Sequence, residues 1–147
     1  MLVLVVLIVT YTVAGKNEIK WLQEYQQFEK AKNLINQQQP SQALPLLSQL
    51  LEKDKYKNSV PVVWAYGICL AMNGDFQGSK NYLYRTQQLR PLVLFDYIYT
   101  VQYGETLYRL GDYKEAKKYL SLSKELNPNG QFAQHIMDML NDMESKL

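Results

Sequence analysis

The most reactive side chains in the sequence are one cysteine and one histidine. Cys69 has no second cysteine for a disulfide, and no cation lies near it in sequence to stabilise a thiolate. His135 precedes Asp138 by three residues, a spacing that allows a hydrogen bond on one helix face. Most metal and acid-base sites require more ligands or partners than these. We therefore predict an inert buried thiol, a surface histidine, and no catalytic, metal or cofactor site.

The composition is that of a small folded protein without a strong net charge. The 147 residues are 47% hydrophobic and 12% aromatic, and the formal net charge is +2. Such a chain has enough apolar side chains for a single packed domain. The low net charge leaves no electrostatic footprint for nucleic acid. These values favour a small binding protein and disfavour a nucleic-acid partner.

An uncharged apolar run opens the chain, MLVLVVLIVTYTVAG over residues 1–15, and it ends at Lys16. A span of the hydrocarbon core needs about 20 apolar residues, so this run is short for a transmembrane helix. A signal peptide has a basic n-region, which is missing here, although Thr12 and Ala14 suit cleavage after Ala14. The run is thus an anchor, the end of a longer transmembrane helix, or an export signal. A buried strand is disfavoured because no partner strand follows.

We therefore predict a membrane-associated protein with one N-terminal hydrophobic segment. The flanking charges do not assign a side of the membrane, because Lys16 and Lys20 are offset by Glu18 and Glu24. The positive-inside rule needs a larger excess of basic residues.

Internal repeats organise the rest of the sequence. Two copies of the repeat match strongly. A third copy lies upstream at an offset of 36 positions; it matches more weakly and has Gln38 and Gln39 where the two strong copies have Gly-Asp. The three copies predict three helical hairpins, at about 24–55, 60–91 and 97–128. The two stronger copies match at a constant offset of 37 positions, with Gly67, Leu70, Gly74, Asp75, Phe76, Leu83 and Pro91 recurring as Gly104, Leu107, Gly111, Asp112, Tyr113, Leu120 and Pro128.

Each copy has the pattern of two antiparallel helices. In the third copy, helical spacing of apolar residues is interrupted at Gly111-Asp112 and then resumes. Gly111 suits the left-handed position after a helix, and Asp112 suits the N-cap of the next helix. Pro128 ends that second helix. Small residues at Gly67 and Gly104 allow the two helices of a pair to approach closely.

With these residues, the chain resembles the tetratricopeptide repeat family. The family pattern has a small residue and a leucine in the first helix, a Gly-Asp-aromatic turn, an alanine and a closing proline. The resemblance implies an all-α solenoid of hairpins over residues 16–128. The usual period is about 34 residues, so we expect extra residues between the hairpins or in the second helices. The third copy matches at Gly104, Leu107, Gly111, Asp112, Tyr113, Ala116 and Pro128.

A C-terminal unit is predicted over residues 129–147, in which the turn Asn129-Gly130 is followed by a capping helix from Gln131 to Lys146. It would cover the end of the last hairpin, as a solenoid requires for solubility. Its apolar residues at helical spacing are Phe132, Ile136, Met139, Leu140 and Met143.

The resemblance also implies a concave groove along the first helices of the hairpins, which takes a peptide or a partner helix. Such an aromatic and apolar surface would bind hydrophobic anchors. A family subclass that clamps terminal carboxylates is disfavoured, because Phe28 and Lys32 stand where a lysine and an asparagine would be needed. By register, the groove residues are Tyr25, Phe28, Lys32, Trp64, Ile68, Met72, Ile98, Val101, Glu105, Tyr108 and Arg109.

The preferred function is a non-catalytic, membrane-tethered scaffold for a protein or peptide partner. Two alternatives stay open. In the first alternative, the chain is the C-terminal tail of a larger membrane enzyme or transporter, for example a glycan-assembly enzyme. In the second, it is an exported soluble adaptor. The sequence does not indicate a homo-oligomer; any dimer would use the last helix or the groove.

Overall fold

The structure is a computed structural model that describes the backbone of residues 2–146 and the side chains of residues 18–146. This part of the chain contains α-helices and one short 3-10 turn, and no strand. The helices are α1 Leu2–Asn36, α2 Pro40–Leu51, α3 Val60–Met72, α4 Phe76–Leu89, α5 Tyr97–Arg109, α6 Tyr113–Leu126 and α7 Ala133–Glu144, and the 3-10 turn is Pro91–Phe95.

The helices pack as three successive pairs, α1 with α2, α3 with α4, and α5 with α6. Short connections at residues 37–39, 73–75 and 110–112 join the helices of each pair, so the two helices run antiparallel. Helix α2 packs on α3, α4 on α5, and α6 on α7. The result is a linear stack in which each pair contacts its neighbours. We call α1, α3 and α5 the A helices and α2, α4 and α6 the B helices.

The turn inside each pair closes with the same backbone bond. The N–H groups of Gln39, Asp75 and Asp112 donate to the carbonyls five residues earlier, at 2.8, 2.9 and 3.0 Å. The residue before each donor has a positive φ: +84° at Gly74, +77° at Gly111. A left-handed residue at this point is the usual end of a helix. Both glycine turns therefore form as the sequence predicts.

The first turn departs from the other two. Gln38 takes the left-handed position with φ +60°, a conformation that costs a non-glycine residue about 1–2 kcal/mol. Helix α2 also has Pro45 inside it, beyond the first turn, where proline removes a helical hydrogen bond. The first pair is thus the irregular one, as its weaker sequence match indicates.

The two carboxylates after the glycines have different roles. Asp75 accepts a hydrogen bond from the N–H of Gly78 at 2.8 Å and caps α4. Asp112 makes no side-chain capping bond to α6, and its carboxylate instead binds the Lys80 ammonium at 3.0 Å. Asp112 thus lies at the N-cap position of α6 as predicted, but its side chain does not cap the helix, because Lys80 on the neighbouring pair competes for its carboxylate.

Small residues let the helices of a pair cross closely. A methyl group on Gly104 would lie 2.7 Å from Leu120 Cγ, and one on Gly67 would lie 3.2 Å from Leu83 Cγ. Ser79 and Ala116, the small residues of the partner helices, are fully buried. Cys69 is also fully buried, and burial raises the pKa of its thiol to about 11. The thiol is therefore protonated at neutral pH, as expected of an inert core cysteine.

The 3-10 turn Pro91–Phe95 lies between α4 and α5 and accounts for extra residues in the repeat. Its middle residue, Val93, is buried in the core. The extra residues therefore lie in a connection between hairpins, one of the two places that the sequence indicates.

A buried carboxylate joins α1 to the loop after α2. Glu24 is 2% exposed, its Oε1 lies 3.0 Å from Lys53 Nζ, and its Oε2 contacts Lys55 Nζ. The neighbouring ammonium group of Lys55, with a second from Lys53, lowers the pKa of Glu24, although burial acts in the opposite direction. The ion pairs thus tie the first A helix to the connection between the first two pairs.

The expected membrane segment is not supported. Helix α1 runs unbroken from Leu2 to Asn36, not as a separate hydrophobic helix ahead of the repeats. The predicted anchor over residues 1–15 lies outside the side chains that the structure describes. In the described part of the chain, no helix is long and apolar enough to cross a bilayer, because charged residues such as Glu18, Lys20 and Glu24 recur along α1 and are costly in hydrocarbon. This finding overturns the predicted membrane-associated location.

Replacing Gly104 with alanine should destabilise the protein more than the same change at Gly67. The added methyl group overlaps Leu120, and overpacking of this kind costs about 1–3 kcal/mol. At Gly67 the looser contact is offset by the higher helix propensity of alanine, worth about 1 kcal/mol. Urea unfolding followed by circular dichroism measures both free energies of unfolding. Equal effects of the two substitutions would show that α5 and α6 do not cross more closely than α3 and α4.

Glu24→Gln should lower the free energy of unfolding by about 1–2 kcal/mol at neutral pH, because the ion pairs of a buried carboxylate are lost while the lysines still reach water. The folded-state pKa of Glu24 lies below its ordinary value of 4.5. Its contribution is therefore present above that value and is lost as the pH falls through the lower, folded-state pKa.

The pH dependence separates this role from a packing effect. The difference in stability between wild type and Glu24→Gln should shrink on acidification below pH 4.5. Glu29→Gln is the control, since Glu29 forms an exposed pair with Lys32 on the same helix and should change stability little. A stability difference that is independent of pH would contradict the charge-based explanation.

Candidate functional site

The A helices line an open groove of about 610 Å³. Its walls come from the C-terminal half of α1, from α3, and from the first two turns of α5. Most of the side chains are apolar, and the single charged one is Lys32. The lining residues are Phe28, Lys32, Ile35, Asn36, Pro61, Trp64, Ala65, Ile68, Ile98 and Gln102.

Helical periodicity places these side chains on one face. Phe28, Lys32 and Ile35 follow one another at steps of four and three residues, which keeps them on one side of α1. Pro61, Trp64 and Ile68 do the same on α3. The opposite faces of these helices pack against the B helices, so the groove-facing stripes remain open.

Trp64 is held at the centre of the groove by two contacts with α5. Its Nε1–H donates to Gln102 Oε1 at 2.8 Å, and its ring meets the buried ring of Tyr99 edge to face at 5.7 Å. Tyr99 is fixed in turn, because its hydroxyl donates to the Leu83 carbonyl at 2.8 Å. The polar edge of the indole is satisfied within the protein, and the ring is presented as an apolar wall.

Phe28 and Lys32 form one end of the groove. The Lys32 ammonium lies 5.6 Å from the centre of the Phe28 ring and 3.0 Å from Glu29 Oε1. Its positive charge is therefore partly balanced by its own helix. This end of the groove therefore presents the Phe28 ring beside a partly balanced positive charge on Lys32.

The structure brings together some of the predicted groove residues. Phe28, Lys32 and Trp64 line the groove, together with Ile68 and Ile98.

The remaining predicted residues of the first two pairs do not line the groove. Tyr25 is 49% exposed, and its ring stacks on Trp21 at 5.6 Å. Met72 is half-buried at the end of α3. In the third pair, Val101 is 3% exposed and belongs to the core.

The predicted residues of the third pair, Glu105, Tyr108 and Arg109, lie where α7 folds back onto α5. Glu105 contacts His135 Nε2 at 3.2 Å and Arg109 at 3.3 Å. The Tyr108 hydroxyl donates to Asp142 on α7. These side chains interact with the protein's own last helix, and the register-based prediction of groove residues did not include this contact.

A polar cluster fastens α7 in this position. Asp142 also binds the Lys146 ammonium, which lies 5.4 Å from the Tyr108 ring centre. The Lys146 bond and the Tyr108 hydroxyl together lower the pKa of Asp142, and the Asp142 carboxylate raises the pKa of Tyr108. Ile136, on the same helix, is fully buried in the core. Helix α7 is thus an integral part of the fold.

The register-based prediction missed several groove residues that lie one helical turn from the predicted ones. Ile35 follows Lys32 by three positions, Pro61 precedes Trp64 by three, and Gln102 follows Ile98 by four. Each lies one helical turn from a residue already predicted to line the groove. Asn36 follows Ile35 and Ala65 follows Trp64 in sequence, and no residue-type signal marks them.

The chemical character of the groove is that of a binding surface. Its lining has no cysteine, histidine or carboxylate. Within the described residues, no cluster of three or more His, Cys, Asp or Glu side chains could hold a metal ion.

These features define a helical-repeat fold like that of tetratricopeptide repeats, with an apolar groove along its A helices. No protein-family model matches the chain, and no curated protein matches it by sequence.

Two solved structures are similar to the chain. The first is the type III secretion translocator chaperone SycD of Yersinia enterocolitica, with a TM-score of 0.67 and 18% identity over 83% of this chain and 83% of that chain. The second is the same chaperone in complex with a peptide of the translocator YopD, with a TM-score of 0.65 and 18% identity over 83% and 92%. At this identity the likeness shows the fold, and it confirms the predicted all-α, tetratricopeptide-like repeat.

Replacing Ile136 with alanine should lower the free energy of unfolding of the whole protein by about 2–5 kcal/mol, the usual cost of emptying a buried site. Met137→Ala, one residue further along α7 but only half-buried, should cost less than about 1 kcal/mol. Urea unfolding by circular dichroism measures both. A separate early transition in Ile136→Ala, with the rest unchanged, would show that α7 is detachable from the stack.

Proposed function

We propose that the protein is a non-catalytic scaffold that binds a peptide segment of a partner protein in the groove of the A helices. The observation that carries this proposal is the fixed Trp64 ring at the centre of an open, mostly apolar groove. Support comes from the similar fold of SycD, which was solved with a peptide of YopD.

The binding energy would come from apolar burial. Phe28, Trp64, Ile68 and Ile98 are half-buried in the free protein, so a ligand can remove their remaining surface from water. Each square ångström of apolar surface removed is worth about 25 cal/mol. Aromatic residues at the centre of an interface commonly carry most of the affinity. A peptide with large apolar anchors therefore suits this groove.

The pre-formed walls lower the cost of binding. Trp64 is bonded to Gln102 at 2.8 Å and packed on Tyr99, so its rotamer is already restricted before a ligand arrives. A side chain that is ordered in advance loses less entropy on association. The groove thus has the properties of a rigid receptor for a flexible segment.

Short synthetic peptides test this function. Each carries two leucines at a systematically varied spacing in a Gly/Ser background, with a fluorescent label for anisotropy titration. Phe28→Ala and Ile68→Ser should weaken binding by about tenfold or more, as expected of central apolar contacts. Tyr84→Ala is the matched control, because Tyr84 is 49% exposed on the B helix α4 and does not line the groove.

The outcomes are distinct. Weakened binding in both groove variants, with Tyr84→Ala unchanged and all variants folded by circular dichroism, supports the proposal. Peptide binding that survives both groove substitutions would place the site elsewhere. No binding by any peptide to the folded wild type would reject an apolar peptide as the ligand.

A further inference from the structure

A second pocket adjoins the groove at the 3-10 turn. It has a volume of about 200 Å³ and shares Pro61 and Trp64 with the groove. Leu92 of the turn and Arg90 just before it supply the opposite side. Since both cavities share these two wall residues, a chain lying in the groove can continue into this pocket.

The 3-10 turn exposes two large apolar side chains beside the pocket. Leu92 is 65% exposed and Phe95 is 73% exposed. In a 3-10 helix, residues three apart lie one above the other, so these two side chains form one ridge. Val93, between them, is 4% exposed and anchors the turn in the core. The ridge is therefore held in place while its apolar atoms face water.

The pocket lining contains one cation, Arg90, and one carboxylate, Asp96. Arg90 forms no ion pair with any residue whose side chain the structure describes. Asp96 keeps its negative charge, but its carboxylate is already hydrogen-bonded within the protein. Its Oδ1 accepts hydrogen bonds from the N–H groups of Ile98 at 2.9 Å and Tyr99 at 3.2 Å, where it caps α5. A carboxylate in this role is stabilised by the helix N-terminus.

We propose that this pocket is a second subsite for the same peptide, and that it takes an apolar residue of that peptide with an acidic residue beside it. The apolar side chain would pack against Leu92 and Trp64, and the acidic side chain would bind the Arg90 guanidinium. The proposal rests on the proposed function of the groove. It adds a specificity element, because an unpaired arginine favours a carboxylate over a neutral or basic residue.

The two-leucine peptides test the subsite when each is also made with an aspartate next to the second leucine. Wild-type protein should bind the best-spaced aspartate peptide about threefold to tenfold more tightly than its serine counterpart. Arg90→Ala should abolish this preference, and Arg90→Lys should keep part of it. Lys117→Ala is the control, because Lys117 is an exposed cation of α6 outside both cavities.

A second pair of variants tests the apolar contact of the subsite. Leu92→Ser should weaken binding of both peptides by about tenfold, as expected when a leucine contact is lost. Leu126→Ser should leave binding unchanged, because Leu126 is also exposed but lies at the end of α6.

The results separate the subsite from the groove. Binding that is lost in Phe28→Ala but unaffected by Arg90→Ala and Leu92→Ser would overturn the subsite and keep the groove. Failure of every peptide to bind wild type would overturn both. Self-association of the wild type, measured by light scattering and abolished by Leu92→Ser, would show that a second copy of the chain covers the ridge, and would also overturn the proposal.

Discussion

The close contact between a glycine backbone and a leucine side chain holds the two helices of a hairpin together, and the rest of the stack depends on it. Gly67 lies against Leu83, and Gly104 against Leu120. Because these faces of the A helices are used within the pair, their other faces remain in a row along one side of the stack. The groove is a consequence of that crossing geometry.

Two elements outside the regular repeat define the open length of this groove. At one end, α7 folds onto α5, so Glu105 and Tyr108 contact His135 and Asp142 instead of a ligand. Between the second and third pairs, the 3-10 turn Pro91–Phe95 adds an apolar ridge beside Trp64. A repeat without these additions would present a longer and more uniform surface.

Charges in the described part of the molecule are placed mostly outside the groove. Glu24 is buried against two lysines at the loop after α2, and Asp112 binds Lys80 between the second and third pairs. The first set ties α1 to the connection between the first two pairs, and the second joins two neighbouring pairs of helices. The groove lining is mostly apolar, and Lys32 is its one charged residue.

The sequence alone determined the features that depend on residues close together in the chain. The repeat offsets, the left-handed glycines Gly74 and Gly111, and one apolar face on each helix are consequences of local backbone preference and helical period. The register of the tetratricopeptide resemblance located Phe28, Lys32 and Trp64 on one surface. Local reasoning failed for the membrane location, because a short apolar run at one end does not show where a protein resides. Only the tertiary structure decided that α7 covers Tyr108, that Asp112 binds Lys80, and that Leu92 stands beside Trp64. These contacts join residues about one repeat apart, and they depend on how whole helices pack, a balance of many weak interactions that no local pattern encodes.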